Sequence, residues 1–385
     1  MKELVVELSK GFGKLFINPL LFWIILLSFL ISRRRIKDEQ LQFGRELSPL
    51  GAEFSNTWKL SVFGTLLASV TTIVLQTAFA KEIILFLSII LFILSFAFGF
   101  RLLSAVYSLG FTYVFLKILQ MAHNQLFQLG YITSQTFSTI ALLIAIFLLI
   151  EVMLYQRVTN ETAFPELVKS GRGSWVGLFH IQKASFVPFF VPVQSNPSTS
   201  SITLLPDLTI AGETYSFILI PFIIGFHHVV KGHLPETKTA KLIHYNRFLS
   251  LLVFIIATAS FYLPGLASFA IIVALLGKIF IQSSFTKEDK AQGFYFIDLK
   301  KKVTIFAIVP NSPAARLGFK VGDTIIKVNN RTIEHIEELE EEWKIGTPTS
   351  FEIIDKKNKL HTIKNTEFYS DFDSFGFIFI QNRRN

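Results

Sequence analysis

Residues 303–333 carry backbone signals that few folds satisfy in the same order. A hydrophobic strand ends at a proline, a helix of one or two turns follows, and a Gly-Asp turn leads into a second strand that ends in Asn-Asn. Serine is a good helix N-cap, proline suits the first helical position, and glycine supplies the left-handed residue that ends a helix. These signals are carried by Ser312, Pro313, Ala314, Gly318, Gly322, Asp323 and Asn329. The segment therefore predicts a strand–helix–turn–strand unit.

This order of signals resembles a bacterial PDZ domain of the circularly permuted type. Asn330 stands where family members usually have glycine, and asparagine tolerates the same backbone conformation. About 95 residues are enough for one small hydrophobic core. We therefore expect residues 286–385 to form an α+β PDZ domain, in which the signature residues shape the fold and the binding surface lies elsewhere.

A PDZ fold binds an extended peptide by adding it as a strand to a sheet edge, beside a helix. By resemblance, the groove strand is 294–297, the preceding loop caps a peptide carboxylate, and the facing helix is 334–344. The expected groove residues are Gly293, Phe294, Tyr295, Phe296, Ile297, Ile336, Leu339 and Glu340. Two alternatives stay open: the apolar members of this set also fit a hydrophobic core, and Phe375-Gly376-Phe377 also resembles a carboxylate loop.

Long apolar stretches dominate the rest of the chain. Of its 385 residues, 51% are hydrophobic and only 17% are charged, a composition typical of membrane proteins. Seven stretches are predicted as helical spans: 16–31, 60–80, 83–100, 102–119, 136–155, 248–263 and 266–281. Two further apolar stretches, 175–193 and 215–230, fit either two weaker spans or a half-buried cytoplasmic or interfacial unit. We therefore expect residues 1–285 to be a multi-span α-helical membrane domain of seven to nine spans.

The basic residues predict the orientation of this membrane domain. From Thr286 onward 16 Lys/Arg face 15 Asp/Glu, which leaves 21 against 13, a net +8, for residues 1–285. Six basic residues lie in the single loop 33–59, which indicates that this loop is cytoplasmic. An even number of later crossings then places the C-terminal domain in the cytoplasm too. A basic surplus beside the spans favours contact with the lipid bilayer, and we expect no nucleic-acid binding.

The sequence lacks the motifs of the enzymes that often carry such domains. There is no cysteine, no His-Glu pair for an intramembrane zinc protease, no Gly-x-Ser-x-Gly elbow and no phosphate-binding Gly-x-x-x-x-Gly-Lys loop. His227, His228 and His233 are spaced too poorly to share a helix face, so amphipathic histidines at a membrane boundary are the better interpretation. Glu151 and Lys278 lie near span ends, where snorkelling explains them. We expect no enzymatic activity, no metal and no cofactor.

Three features together resemble the MinJ family. They are the PDZ signature, the segment 16–22 ahead of the basic run 33–37, and the segment 221–235. The resemblance implies a non-enzymatic, polytopic adaptor at the division septum and cell poles. It would bridge a DivIVA-like polar coiled-coil protein to the membrane ATPase MinD, and with it the division inhibitor MinC, to control septum placement. The alternative is a membrane-anchored PDZ regulator that presents substrates to a separate membrane protease.

Overall fold

The computed structural model of the chain describes residues 12–13, 15–122, 132–171, 173–194, 208–210, 213–297, 303–343, 349–356, 358–365 and 372–380. Within these residues, 15–297 form a helical lobe with two small sheets, and 303–380 form a β-rich lobe. We call them the membrane lobe and the C-terminal lobe.

Seven long helices in the described part of the membrane lobe overlap the seven predicted spans. They are α1 Pro19–Phe43, α2 Trp58–Val74, α3 Lys81–Phe98, α4 Ala105–Met121, α5 Ser134–Tyr155, α6 Pro235–Ala259 and α7 Gly265–Ala291. Local signals set their ends. Helix α1, for example, begins where the Asn18 side chain accepts a hydrogen bond from Leu20 N (3.0 Å) and ends at Gly44, whose φ is +72°.

Four helices in the described residues are long and apolar enough to cross a bilayer. They are α3 extended by the 3₁₀ turn that follows it (Lys81–Leu102), α5, α6 and α7. Helices α2 and α4 are apolar but have only 17 residues each, and the second half of α1 carries the charged run. The chain is thus a multi-span helical membrane protein, and the crossings by α1, α2 and α4 stay predictions.

Helix α5 is the centre of the membrane lobe. Nearly all of its side chains are buried, and it packs against α2, α4, α6 and α7. An apolar helix that is buried on every side belongs in a protein interior, whereas the other spans expose apolar side chains on one face. The remaining helices therefore form a shell around α5.

Six strands in the membrane lobe correct the interpretation of residues 170–230. They are β1 Phe164–Lys169, β2 Trp175–Phe186, β3 Phe189–Gln194, β4 Leu208–Ile210, β5 Glu213–Ile220 and β6 Ile223–Val230, and a seventh strand of this lobe, β7 Phe296–Ile297, follows α7. All pairs are antiparallel, in the orders β1-β2-β6 and β3-β5-β4. The alternative of two further helical spans was wrong, because both stretches are extended.

Strands β2 and β3 pair with β6 and β5 to form one long structure, which we call the central hairpin (175–194 with 213–230). It runs beside α2 from end to end. Ser185 meets Ser61 near the start of α2 (Oγ to Oγ 2.8 Å), and Phe190 N donates to Ser69 Oγ (3.0 Å) further along. Beyond the end of α2, Phe79 N donates to Pro192 O (2.8 Å). The central hairpin therefore lies inside the helical shell at the depth of the helices.

The C-terminal lobe is an antiparallel α+β unit. Its elements are β8 Val303–Thr304, β9 Ala307–Ile308, α8 Pro313–Arg316, β10 Thr324–Val328, β11 Arg331–Thr332, α9 Ile336–Trp343, β12 Thr349–Ile354, β13 Leu360–Asn365, α10 Phe372–Phe375 and β14 Phe377–Ile378. One sheet has the order β11-β10-β12-β13, with β8 also on β10, and β9 pairs with β14. Helix α9 buries Ile336, Leu339 and Trp343 in the core, as its periodicity predicts.

The two lobes share an apolar interface. Leu47, Leu167, Phe179 and Leu234 from the membrane lobe pack with Phe306, Val321, Ile378 and Ile380 from the C-terminal lobe. At Gly177 of β2, an added Cβ would overlap the ring of Phe306, so the missing side chain admits that ring. Because Leu47 belongs to the loop after α1, the basic end of α1 and the C-terminal lobe lie on the same side of the membrane lobe.

Candidate peptide-binding site

The short helix α8 is positioned by the predicted signature. Ser312 is its N-cap, with Oγ accepting a hydrogen bond from Ala315 N (3.3 Å), and Pro313 occupies the first turn. Ala314 is buried in the lobe core. Gly318 then adopts φ +86°, which lets the chain turn away from the helix.

The turn before β10 depends on Gly322 and Asp323. Gly322 has φ +93°, and Asp323 Oδ2 accepts a hydrogen bond from Lys320 N (2.9 Å). Burial raises the pKa of the Asp323 carboxyl, and that hydrogen bond opposes the shift. At the far end of β10, Asn329 has φ +49° and its Oδ1 accepts from Ser350 N (2.9 Å). These side chains hold the backbone and leave no group directed at a ligand.

The predicted groove strand lies in a different place from the one expected. Phe296 and Ile297 form β7, which pairs with Gly177 and Val176 of β2 in the membrane lobe. Phe296 is buried in the interface between the lobes, whereas Tyr295 and Ile297 are exposed. The expectation that this strand belongs to the C-terminal sheet and faces α9 was therefore wrong. Strand β2 pairs with the backbone of β7, at the strand to which the sequence analysis assigned a bound peptide.

The other predicted groove residues divide between core and surface. Ile336 and Leu339 point into the core of the C-terminal lobe, as the alternative interpretation held. Glu340 is half-buried on α9. Gly293 has φ +75° and is exposed, and Phe294 is half-buried beside the Lys231 ammonium (5.8 Å to the ring centroid). The structure brings none of the residues 293–297 together with α9 into one groove.

The second carboxylate-loop pattern, Phe375-Gly376-Phe377, lies at the start of a strand in the C-terminal lobe. Strand β14 begins at Phe377 and pairs with β9, the strand just before α8. Gly376 has φ +96°, and its carbonyl accepts a hydrogen bond from Val309 N (2.9 Å). The ring of Phe375 packs on Trp343 of α9, with 4.6 Å between centroids. Strand β14 and helix α9 thus frame the candidate site.

Comparison with known proteins supports a PDZ fold for the first part of the C-terminal lobe. A PDZ domain model matches residues 304–352, which run from β8 into β12. A Bacillus subtilis (strain 168) protein, the cell division topological determinant MinJ, is 26% identical over 384 residues, covering 98% of this chain and 96% of the relative. Similarity therefore extends through both lobes.

The chain is similar to MinJ over nearly its whole length.

Two relatives of lower identity also extend over both lobes. Proteins of Lacticaseibacillus paracasei and Lacticaseibacillus casei (strain BD-II), each a probable cell division topological determinant MinJ, are 21% identical over 335 residues. Those residues are 84% of this chain and 86% of each relative. The membrane lobe is thus part of what MinJ proteins share with this chain.

The membrane lobe also has a buried polar network that the sequence did not predict. Lys278 Nζ donates to Glu151 Oε1 (2.6 Å) and to Asn246 Oδ1 (2.7 Å). Ser104 Oγ and Tyr155 OH donate to the same carboxylate (2.6 and 3.0 Å). The interpretation of Glu151 and Lys278 as snorkelling side chains was wrong, because both are buried and paired with each other.

Two of the histidines, His180 and His227, form a chain of hydrogen bonds with Glu166. Glu166 bonds to His180 Nε2, and His180 Nδ1 lies 2.8 Å from His227 Nε2. The hydrogen bond from His180 lowers the pKa of Glu166. His228 follows His227 on the strand and therefore points to the opposite face. Within the described residues, no group of three metal-ligating side chains has an arrangement that could hold a metal ion.

Proposed function

We propose that this chain is a membrane adaptor that determines where division proteins act. The observation that carries the proposal is similarity over both lobes to a protein named a cell division topological determinant. The fold supports it, because a peptide-binding type of domain packs directly on a multi-span helical lobe. Such a protein acts by bringing others together, and it needs no catalytic group.

Membrane attachment makes a weak binding site adequate. The apolar helices confine the C-terminal lobe to a thin layer beside the bilayer, and partners on the same membrane share that layer. Confinement raises the effective concentration of one partner at the other without any additional contact. A peptide groove of modest affinity is then enough to place a partner.

We infer that the partner peptide adds to β14 beside α9. This edge follows a glycine loop, and backbone N–H groups of such a loop suit a peptide carboxylate. Phe377 is buried against the core of the lobe, which fixes the strand. Glu340 on α9 lies half-buried next to Trp343 and can contact a peptide side chain.

The family resemblance supplies the finer assignment. The chain would bridge a DivIVA-like polar coiled-coil protein to MinD and MinC, at septum and poles, with the C-terminal lobe in the cytoplasm. The basic end of α1 supports that orientation, because the loop that follows it contacts the C-terminal lobe and basic segments beside a span are retained on the cytoplasmic side.

The first prediction tests the function and the groove together in the native host. Deletion of the gene is expected to give filaments or misplaced septa. In a complemented strain, the Glu340→Lys variant is expected to reach the membrane. It should recruit partners severalfold less than the wild type, because an ammonium group replaces a carboxylate beside the groove. Fluorescence imaging of the fusion, of MinD and of septa measures each step.

Glu337→Lys is the matched control, because Glu337 is an exposed residue of the same helix. It should restore both recruitment and septum position. A deletion strain with normal length and correct septa would contradict the function, whereas equal recruitment by both variants would move the contact away from α9. Recovery of a membrane protease and no division protein in a pull-down would favour the protease-regulator alternative.

A further inference from the structure

A cavity of about 620 Å³ opens in the membrane lobe where its apolar helices meet its polar face. Helix α1 and the end of α3 form two walls, and the 3₁₀ turn Gly99–Leu102 continues from α3. Strands β1, β2 and β6 cover the polar end. The cavity therefore lies at the level at which a lipid headgroup meets its acyl chains.

The apolar end of the cavity is continuous with the surface that faces lipid. Leu27 and Ile31 come from the apolar half of α1, and Phe96 and Phe98 come from the end of α3. Phe96 is 72% exposed although it lines the cavity. Apolar side chains this exposed on a spanning helix contact acyl chains, so the cavity opens sideways toward the bilayer.

The polar end of the cavity holds two arginines that form no ion pair with any carboxylate of the described residues. In the part of the chain that the structure describes, neither Arg34 nor Arg101 forms an ion pair. Arg35 differs from them, because its guanidinium binds Glu39 (2.9 Å) and Glu53 (3.0 Å). The positive charge of Arg34 and Arg101 is thus free for a ligand.

The acidic side chains at this end are mostly occupied. Glu39 accepts hydrogen bonds from Leu47 N (2.8 Å) and Ser48 N (3.2 Å) besides its pairing with Arg35, and Glu166 is bound to His180. Asp38 is exposed at the mouth, one turn from Arg34. The two free arginines therefore outnumber the free carboxylate, and the polar end attracts an anion.

We propose that this cavity binds one anionic phospholipid, with its phosphate between Arg34 and Arg101 and its acyl chains along Phe96 and Leu27. A charged head at one end and an open apolar side at the other match the two parts of that molecule. An acidic peptide would satisfy the arginines but would leave the sideways apolar opening unfilled. The choice of a lipid follows from the shape and depth of the cavity together with its charge.

The second prediction tests this site with the purified full-length protein in phosphatidylcholine nanodiscs that contain a minor fraction of phosphatidylglycerol. Native mass spectrometry measures the ratio of the two lipids retained by the protein. The wild type is expected to enrich phosphatidylglycerol, and Arg34→Gln with Arg101→Gln to lower that enrichment about fivefold for each arginine. Both side chains are exposed, so their replacement leaves the core intact.

Arg33→Gln with Lys37→Gln is the matched control, because both lie on α1 outside the cavity and remove the same charge. This control variant should enrich phosphatidylglycerol as strongly as the wild type does. Equal losses in the two double variants would show general surface attraction and overturn the site. Displacement of the lipid by soluble glycerol 3-phosphate, or by an acidic peptide, would also overturn the lipid assignment.

Discussion

The ion pair of Glu151 and Lys278 is buried at the centre of the membrane lobe, where burying each charge costs free energy. Charged side chains inside a spanning region are tolerated when they are paired and hydrogen-bonded. Glu151 and Lys278 meet this condition, since Ser104, Tyr155 and Asn246 supply the remaining hydrogen bonds. The network thus joins three helices, α5, α6 and α7, to Ser104 just before α4, and it depends on one pair of charges.

The third prediction concerns that pair. Glu151→Gln or Lys278→Met alone should lower the free energy of unfolding by about 3–5 kcal/mol, because each leaves the other charge buried without its partner. The double variant should recover most of this loss. Thermal unfolding of the purified protein in detergent, arranged as a double-mutant cycle, measures the coupling.

Lys117→Met provides the control for loss of a lysine near a span end. Its ammonium group lies over the ring of Phe137 (4.3 Å) and should contribute less than about 1 kcal/mol. Additive effects of the Glu151 and Lys278 substitutions would contradict a coupled pair.

Residue-level prediction succeeded where the constraint was local. Ser312, Gly318 and Asn329 satisfy backbone requirements within a few residues of themselves, so their roles follow from the sequence. The partnership of Glu151 with Lys278 joins positions 127 apart, and each charge alone fits a span end. The predicted groove strand failed for a similar reason, because its partner β2 lies more than a hundred residues away.

Among the elements, the central hairpin is the least expected. Extended backbone at membrane depth is tolerated only where protein surrounds it, because lipid cannot satisfy its hydrogen-bonding groups. Strands β2 and β6 are buried along most of their length, and side chains of α2 bind the backbone of β3. The helical shell therefore supplies what lipid cannot.

The fourth prediction tests the hydrogen bonds that α2 side chains form with the backbone of β3. Ser69→Ala and Thr72→Val remove the hydroxyl groups that bind Phe190 N and Phe190 O, so each should destabilise the lobe by about 1–3 kcal/mol. Thr71→Val is the control, because its hydroxyl donates to Leu67 O in its own helix. Thermal unfolding in detergent measures the change. Equal stability of Thr72→Val and Thr71→Val would show that the strand edge does not depend on α2.

The sequence could not assign these strands from hydrophobicity alone. A short apolar run fits a buried strand and a helix equally well. Pro188, Pro192 and Pro221 interrupt the two stretches and disfavour a helix, and Gly225 permits close packing against Ala184. The seven helices were predictable because their apolar runs are longer and carry fewer such breaks.

In the whole molecule, the basic end of α1 and the C-terminal lobe lie at the same end of the helices. The turn after α6 lies at the other end, since α6 begins beside the C-terminal lobe and extends for 25 residues. A helix of that length spans about 37 Å. The structure thus orders three exposed positions across the membrane: Leu41 and Leu360 on one side, and Tyr262 on the other.

The fifth prediction uses the absence of cysteine from the sequence. Single substitutions Leu41→Cys, Leu360→Cys and Tyr262→Cys are expected to react with a membrane-impermeant maleimide according to side. Tyr262→Cys, at a position 86% exposed, should label in right-side-out vesicles, and the other two only in inside-out vesicles. The unsubstituted protein is the control. Labelling of Leu360→Cys in right-side-out vesicles would contradict a cytoplasmic C-terminal lobe.

The apolar seam between the lobes has a consequence for what a partner meets. Ile297 and Val303 end the two lobes only six positions apart, a reach of at most about 21 Å, and Phe306 fills the space left by Gly177. The proposed peptide-binding edge on β14 is consequently held at a fixed distance from the bilayer and in a fixed orientation to it. A partner protein bound to the inner leaflet and one that diffuses in from the cytoplasm approach that edge at different angles. The fixed orientation therefore contributes to the choice of partner.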